Sequence, residues 1–487
     1  MHDLVWPLIN AARERGNLPA LVSAAQTYTF ASYDAAAHAV ACALRATGIQ
    51  AGERVCLLSL PSPEVPIVLM GAFRAGLTVC LLNTRMPRHG LAEAIHRVRP
   101  RVLIVDDYFA RMEFGHLPNL RIASILDAEV ADARIGAPDL SLPGTIIFTS
   151  GSSAEPKAAL HTCAQHSYSA LASNENIVIE PGDCWLLSLP LFHVSGLGIL
   201  FRSAWAGGAV AVPEQGEPLD EAIKRYGVTH VSLVATQLFR LLHTRSGKEA
   251  LASLKAILVG GGAVPGSLVR EAHRQRLPLF TTYGLTEMAS QVTTTRPWDP
   301  LEVLLTSGRP LRPDTIRVSD SGEIEVRGPT LFSGYVEDEA ISLPQTEDGW
   351  FATGDLGKFD ESGNLHLLGR RDNLFVSGGE NIQPEEIERC LCHIDGVVEA
   401  VVVPVKSEEF GSRPVAFVRV AEPQHMKPAL FAAYLAERLP AYKIPMFFLP
   451  WPVEKGEEPV KVSRTALAHL AGNQVLDPPA EGQTWPS

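Results

Sequence analysis

Over roughly the first 300 residues, short apolar runs alternate with segments of helical period. The runs RVCLLSL (54–60), TVCLLN (78–83), VLIVDD (102–107), TIIFTS (145–150), CWLLSLP (184–190), HVSLVA (230–235) and AILVGG (256–261) predict strands. Helical stretches such as SPEVPIVLMGAFRAG and LVREAHRQR (268–276) stand between several of them. Continuous apolar runs suit strands covered on both faces, and their alternation with helices predicts an α/β architecture with mainly parallel sheets. Past residue 300 the texture changes. RVSDSGEIEVRGPTLFSGYV and KFDESGNLHLLGRRDNLFV alternate apolar and polar residues around Ser-Gly turns, which predicts antiparallel hairpins. The runs VVEAVVVPV (397–405) and PVAFVRV (414–420), with helical ALFAAYLAERL (429–439), suffice for a small α+β domain. The expected division is a large domain over 1–371, with α/β sheet subdomains and a β-rich subdomain, and a small mobile domain over 372–487.

Composition narrows the field. The chain has 487 residues, 46% hydrophobic and 20% charged, ample for a sizeable core. A formal net charge of −12 argues against nucleic acid or anionic membrane as a general partner, since phosphate surfaces select basic proteins. Seven cysteines are scattered, and the one close pair, Cys390 and Cys392, has no second cluster to complete a zinc site. The first residues lack a basic segment and a long apolar stretch, so no signal peptide is expected, and no run reaches about 18 uncharged apolar residues. A cytoplasmic protein is the expectation.

Four strings carry candidate chemistry. In TIIFTSGSSAEPKAALH (145–161), a strand runs into Thr149, Ser150, Gly151, Ser152 and Ser153, followed by Lys157. Hydroxyls, backbone N–H groups and an ammonium can together wrap a phosphate. The loop is no Walker A motif, because Lys157 follows Pro156 and Ala158 stands where a hydroxyl should hold Mg²⁺. In FTTYGLTEMAS (280–290), Tyr283 can stack on a purine, Thr286 can bond a phosphoryl oxygen and Glu287 can reach a hard cation. A plainer reading makes Thr286 the cap of a helix. In the segment 349–388, Asp355 can accept both ribose hydroxyls, Arg370 adds a donor, and Ser377-Gly378-Gly379 offers bare backbone to a ligand, although turn chemistry also explains the glycines. The fourth is Lys461, three positions ahead of Arg464.

The strings occur together, in an order that resembles the adenylate-forming superfamily of acyl-CoA synthetases, luciferases and adenylation domains. The likeness runs from about residue 8 to residue 470. Ser153 and Ala154 depart from the commoner threonine and glycine, and an alanine there restricts positive φ. The resemblance implies ATP, Mg²⁺ and coenzyme A as co-substrate. Residue by residue, it implies that Thr149–Ser153 and Lys157 line the phosphate loop, and that Gly261, Gly262, Ala263, Tyr283 and Gly284 flank adenine. It further implies Thr286 at the phosphate, Glu287 at the metal, Asp355 and Arg370 at the ribose, Asp372 as hinge, Ser377–Gly379 toward coenzyme A and Lys461 as catalytic lysine. A homodimer is compatible with it but undecided by it.

LPLFHVSGLGILFR (189–202), THVSLVATQLFRLL (229–242) and EEFGSRPVA (408–416) are similar to one branch, the 2-succinylbenzoate–CoA ligases of menaquinone biosynthesis. That implies a small carboxylic acid substrate, with His193 beside the reacting acyl group and Arg202, aided by Ser232, on a second carboxylate. A surface ion pair for Arg202 and a packed core position for His193 are the plainer readings. Another aryl- or medium-chain acyl-CoA ligase, a stand-alone domain loading a carrier-protein thiol, and a nucleotide binder without catalysis stay open at this point.

Overall fold

The computed structural model describes residues 4–129, 135–149, 156–262, 264–337, 340–377, 380–407, 410–452 and 463–476. Two large sheets dominate. The first runs, edge to edge, Ala340–Ser342, Gly334–Glu337, Ala158–Thr162, Pro143–Phe148, Thr78–Leu81, Arg54–Leu58, Leu103–Val105 and Asn119–Arg121. The second runs Arg309–Pro310, Ser290–Thr294, Leu279–Leu285, Ala256–Val259, His230–Leu233, Cys184–Leu186, Ala209–Ala211, Pro19–Val22 and Thr27–Thr29. Strands from the continuous apolar runs pair in parallel at the sheet centres, as Cys56 with Cys80 and Val231 with Ile257. Antiparallel pairing is confined to the edges, where Leu160 faces both Ile146 and Gly334. The strand expected at 145–150 starts earlier and ends sooner, at Pro143–Phe148, because the chain leaves the sheet where hydroxyl residues begin.

Helices fill the space between the sheets. Phe30–Ala46 and Glu64–Arg74 cross so closely that Gly71 lies against Val40, with the carbonyl of Ala37 2.7 Å from where a Cβ would stand. Cys163–Asn176 and Val194–Ala206 lie in the same apolar layer, in which Trp6, Phe73 and Phe201 meet with ring centroids 6.0–6.2 Å apart. All seven cysteines are free thiols.

A third sheet, Ile316–Val318, Glu323–Val326, Phe351–Phe359 and Leu365–Arg370, is antiparallel throughout. Its turns use the chemistry read from the Ser-Gly pairs: Gly322 and Gly363 take φ of 81° and 78°, and Asp360 accepts the N–H groups of Ser362 and Asn364. The C-terminal domain has its own core around helix Pro384–Leu391 and strands Val397–Ser407, Gly411–Val420 and Phe448–Pro450. Its seam with the third sheet is made on main-chain oxygens. Arg389 donates to the carbonyls of Leu367 and Leu368 at 3.3 and 2.9 Å, and Gln383 to that of Arg370 at 3.0 Å.

Gly71→Ala should cost roughly 1–3 kcal/mol by overpacking the helix crossing. Urea unfolding of the two proteins checks it; equal midpoints would mean the helices separate freely.

Candidate functional site

Three sheets bring their ends together around the first three strings. At the end of Pro143–Phe148, the Thr149 N–H donates to the carbonyl of Lys157 at 2.8 Å, which closes the base of the hydroxyl-rich loop. Arg97, from helix Arg88–Val98, donates to the carbonyl of Pro156 at 2.7 Å. Thr149 is buried and Lys157 exposed, its ammonium 5.0 Å from the centre of the Tyr335 ring. Ser150, Gly151, Ser152, Ser153 and Ala154 lie outside the described residues, as do Ala263, Gly378, Gly379 and Lys461.

The second string leaves the second sheet at Leu279–Leu285 and forms one 3₁₀ turn, Thr286–Met288. Thr286 therefore caps no α-helix. The turn is tied to neighbouring elements instead. The Phe332 N–H donates to the carbonyl of Glu287 at 2.7 Å, the Tyr335 hydroxyl donates to Glu287 Oε1 at 2.6 Å, and His161 Nε2 lies 2.7 Å from the carbonyl of Thr286. That last contact makes Nε2 the protonated nitrogen of a neutral imidazole. Burial lowers the His161 pKa to about 4, and burial together with His161, 5.0 Å away ring to ring, lowers that of His166. Gly284 is pressed so closely against Ser290 that no side chain fits.

Across the third sheet, Asp355 and Arg370 are register partners, and Arg370 Nη1 donates to Asp355 Oδ1 at 3.0 Å. Oδ2 accepts the Tyr283 hydroxyl at 2.8 Å. Burial, then the Asp355 charge, raises the Tyr283 pKa, so the phenol stays a donor. Gly261, with φ of 80°, and Gly262 follow strand Ala256–Val259 and are exposed. Strand ends of three sheets thus bring together a hydroxyl and an ammonium at the base of the first loop, an aromatic ring, a held carboxylate and bare backbone, groups of the kind a nucleotide site uses. Asp372 is exposed, with Oδ2 4.0 Å from Arg370 Nη2. Ser377 is buried, and its hydroxyl finds no partner among the described residues.

The acid-side candidates lie along helix Val194–Ala206 and around Trp185, which touches both Arg202 and Ser232. Arg202 sits on helix Val194–Ala206, 2% exposed, which excludes a surface ion pair. Its guanidinium meets neutral acceptors: the Gly198 carbonyl at 3.0 Å, and the Ser195 carbonyl and Gln291 Oε1 at 3.5 Å, with the Trp185 ring 4.8 Å away. Among the described residues no carboxylate pairs with it. Burial lowers its pKa to about 10, so it remains a cation at neutral pH. A Cβ at Gly198 would stand 2.7 Å from Nη2, so that glycine leaves room for the guanidinium. Ser232 is buried next door and accepts the Trp185 indole N–H at 3.2 Å, leaving its own O–H free to donate. His193 is half-buried at the start of the same helix, beside Phe192; it is not a core histidine.

Glu287 also suits a divalent ion. With Oε1 held by Tyr335, Oε2 has no bonded partner among the described residues. Among the described residues no group of three or more His, Cys, Asp or Glu is placed to hold a metal ion. A single carboxylate completed by water and substrate phosphates is the ordinary way proteins hold Mg²⁺.

The model of the AMP-binding enzyme family matches residues 8–336, and that of the AMP-binding enzyme C-terminal domain matches 386–452. The chain belongs to the AMP-binding enzyme family. It is 34% identical to the 2-succinylbenzoate–CoA ligase of Escherichia coli (strain K12), over 96% of this chain and 99% of that one. Among solved structures, it resembles o-succinylbenzoate CoA synthetase (MenE) from Bacillus subtilis in complex with the acyl-adenylate intermediate OSB-AMP. That match has a TM-score of 0.85 and 31% identity, and covers 95% of this chain and 98% of the other. The same Bacillus subtilis synthetase with ATP and magnesium ion matches at TM-score 0.84 and 31% identity, over 95% and 99% of the two chains. Sequence reading did not single out Tyr335, His161, Arg97, Trp185 or Gln291; only three-dimensional proximity joins them to the candidate strings. No helix among the described residues is long and apolar enough to cross a membrane.

Because His161 and His166 are held neutral, the unfolded chain binds more protons than the folded one at acid pH. The contribution of these two histidines to stability is therefore fully present above pH 6.5, the ordinary histidine value, and is lost as pH drops from there through the lowered values, about 4 for His161. His161→Gln should flatten that decline in thermal melts taken between pH 7 and 4. An unchanged slope would place the acid sensitivity elsewhere.

Proposed function

We propose that this protein is an AMP-forming acid–thiol ligase that activates 2-succinylbenzoate as an acyl-adenylate and transfers it to coenzyme A, a step of menaquinone biosynthesis. The observation that carries the choice of acid is Arg202, a buried cation with neutral neighbours. A cation so placed is costly until an anion joins it. A fatty acid or benzoate has only the carboxylate that reacts. 2-Succinylbenzoate has a second, aromatic carboxylate to meet Arg202, and the Ser232 hydroxyl is the adjacent donor. Membership in the family and the likeness to 2-succinylbenzoate–CoA ligases over nearly the whole chain support the same reading.

A carboxylate cannot expel oxide, so its oxygen attacks the α-phosphorus of ATP and pyrophosphate leaves. Thr149–Ser153 and Lys157 are assigned to the phosphates, Thr286 to a phosphoryl oxygen, Asp355 and Arg370 to the ribose hydroxyls, and Tyr283, Gly284 and Gly261–Ala263 to the base. His193 is assigned to the edge of the acyl site. Glu287 is the residue that would hold Mg²⁺, whose charge, when bound, offsets the negative charge of the triphosphate. Lys461 is assigned to the charge developing in the transition state. The thiol of coenzyme A then attacks the acyl carbon and AMP departs. Rotation of the small domain about Asp372 is the proposed means of withdrawing Lys461 and bringing up Ser377–Gly379.

The test is pyrophosphate release across a panel of acids, with and without coenzyme A. High turnover of octanoate or benzoate and none of 2-succinylbenzoate would overturn the acid assignment. Arg202→Leu should weaken the dicarboxylic substrate by about 3–5 kcal/mol, the scale for stranding a partner of a buried pair; unchanged kinetics would remove Arg202 from the site. Lys461→Ala should slow adenylate formation sharply and largely spare thioester formation from supplied acyl-adenylate. Equal loss in both half-reactions would contradict the rotation.

A further inference from the structure

Tyr335 was legible in the sequence only as hairpin texture, and no step above uses it. It lies on strand Gly334–Glu337, paired through Ala159 with the strand that leaves the phosphate loop. Gly334, at φ 135°, lies so close to Ile341 and Ser342 that a side chain there would clash with the edge strand Ala340–Ser342 beside it. Two contacts radiate from the ring that follows. Its hydroxyl donates to Glu287 Oε1 at 2.6 Å, and the Lys157 ammonium stands 5.0 Å from its centroid. Phe332, 4.7 Å away at 67°, braces the ring edge-on, and the residue is 8% exposed.

We propose that Tyr335 is a positioning residue for nucleotide and metal, fixing the Glu287 carboxylate with Oε2 turned to the cation and holding the Lys157 ammonium over its ring face. The inference rests on the reading of Glu287 and Lys157 given above. The geometry explains why one side chain does both jobs. A lone exposed lysine on a loop loses much rotamer freedom when it binds phosphate, and a ring face beneath the ammonium restricts that freedom beforehand. A free carboxylate can rotate and present either oxygen, whereas a phenol bonded to Oε1 leaves one orientation. The phenol stays protonated because burial and the Glu287 charge raise its pKa, so it remains a donor at neutral pH.

The test is titration calorimetry of ATP into the full chain, with and without Mg²⁺. Tyr335→Phe keeps the ring and removes the hydroxyl. Its affinity for metal-free ATP should match the parent, while the gain in affinity on adding Mg²⁺ should fall by roughly tenfold, the scale of one hydrogen bond to a charged group. Tyr335→Leu should also weaken metal-free ATP, because Lys157 loses its support. In a Glu287→Gln background the Tyr335→Phe substitution should no longer alter the Mg²⁺ gain. Parental Mg²⁺ gain in Tyr335→Phe, equal weakening with and without Mg²⁺, or an undiminished effect in the Glu287→Gln background would each overturn the proposal. None of these measurements contains an acid, so an error in the acid assignment shows only in the pyrophosphate panel and leaves this test intact.

Discussion

The candidate site depends on how the Thr286–Met288 turn is fastened. The turn belongs to the second sheet by chain, yet its ties through oxygen run elsewhere: Glu287 carbonyl to Phe332, Glu287 carboxylate to Tyr335, and Thr286 carbonyl to His161. His161 and Tyr335 lie on neighbouring strands of the first sheet. These bonds therefore join the edges of two sheets at the point where one delivers the phosphate-type loop and the other delivers the hydroxyl and carboxylate. Buried polar bonds of this kind contribute modestly when made and cost more when one partner is lost. Their main effect is registration, since each fixes a main-chain or side-chain oxygen whose position decides what the turn can hold.

Much of the architecture could be read from local pattern. Continuous apolar runs such as Val55–Leu58 and Ile257–Val259 became the parallel sheet centres, because only a strand covered on both faces needs apolar residues at every position. Ser-Gly turns marked the hairpins of the third sheet for an equally local reason, the positive φ of Gly322 and Gly363. The strings around Thr149, Thr286 and Asp355 stood out because phosphate-, metal- and ribose-type chemistry clusters within a few residues. The supports of those strings were not legible. His161 and Thr286 are 125 residues apart in the chain, Tyr335 and Glu287 are 48 apart, and Arg202 and Gln291 are 89 apart. No periodicity encodes such pairs; they exist only once the sheets are packed.

Arg202 shows how burial changes the meaning of a residue. By sequence it was an arginine after an apolar run, compatible with an exposed helix end. The structure places it under Trp185 and against three neutral oxygens, with Gly198 cleared of side chain beside it. The helix carries the charge and the glycine one turn earlier makes the space, so shape and electrostatics at this point are set by a single i, i+4 pair.

The seam between the C-terminal domain and the third sheet has a mechanical consequence. Arg370 gives its carbonyl to Gln383 and its guanidinium to Asp355. One residue is thus both the last rivet of the seam and the clamp on the proposed ribose carboxylate. In the proposed rotation, swinging the small domain away would pull on the same backbone that aims that clamp, so domain movement and the grip on the proposed sugar site would be linked through a single α-carbon.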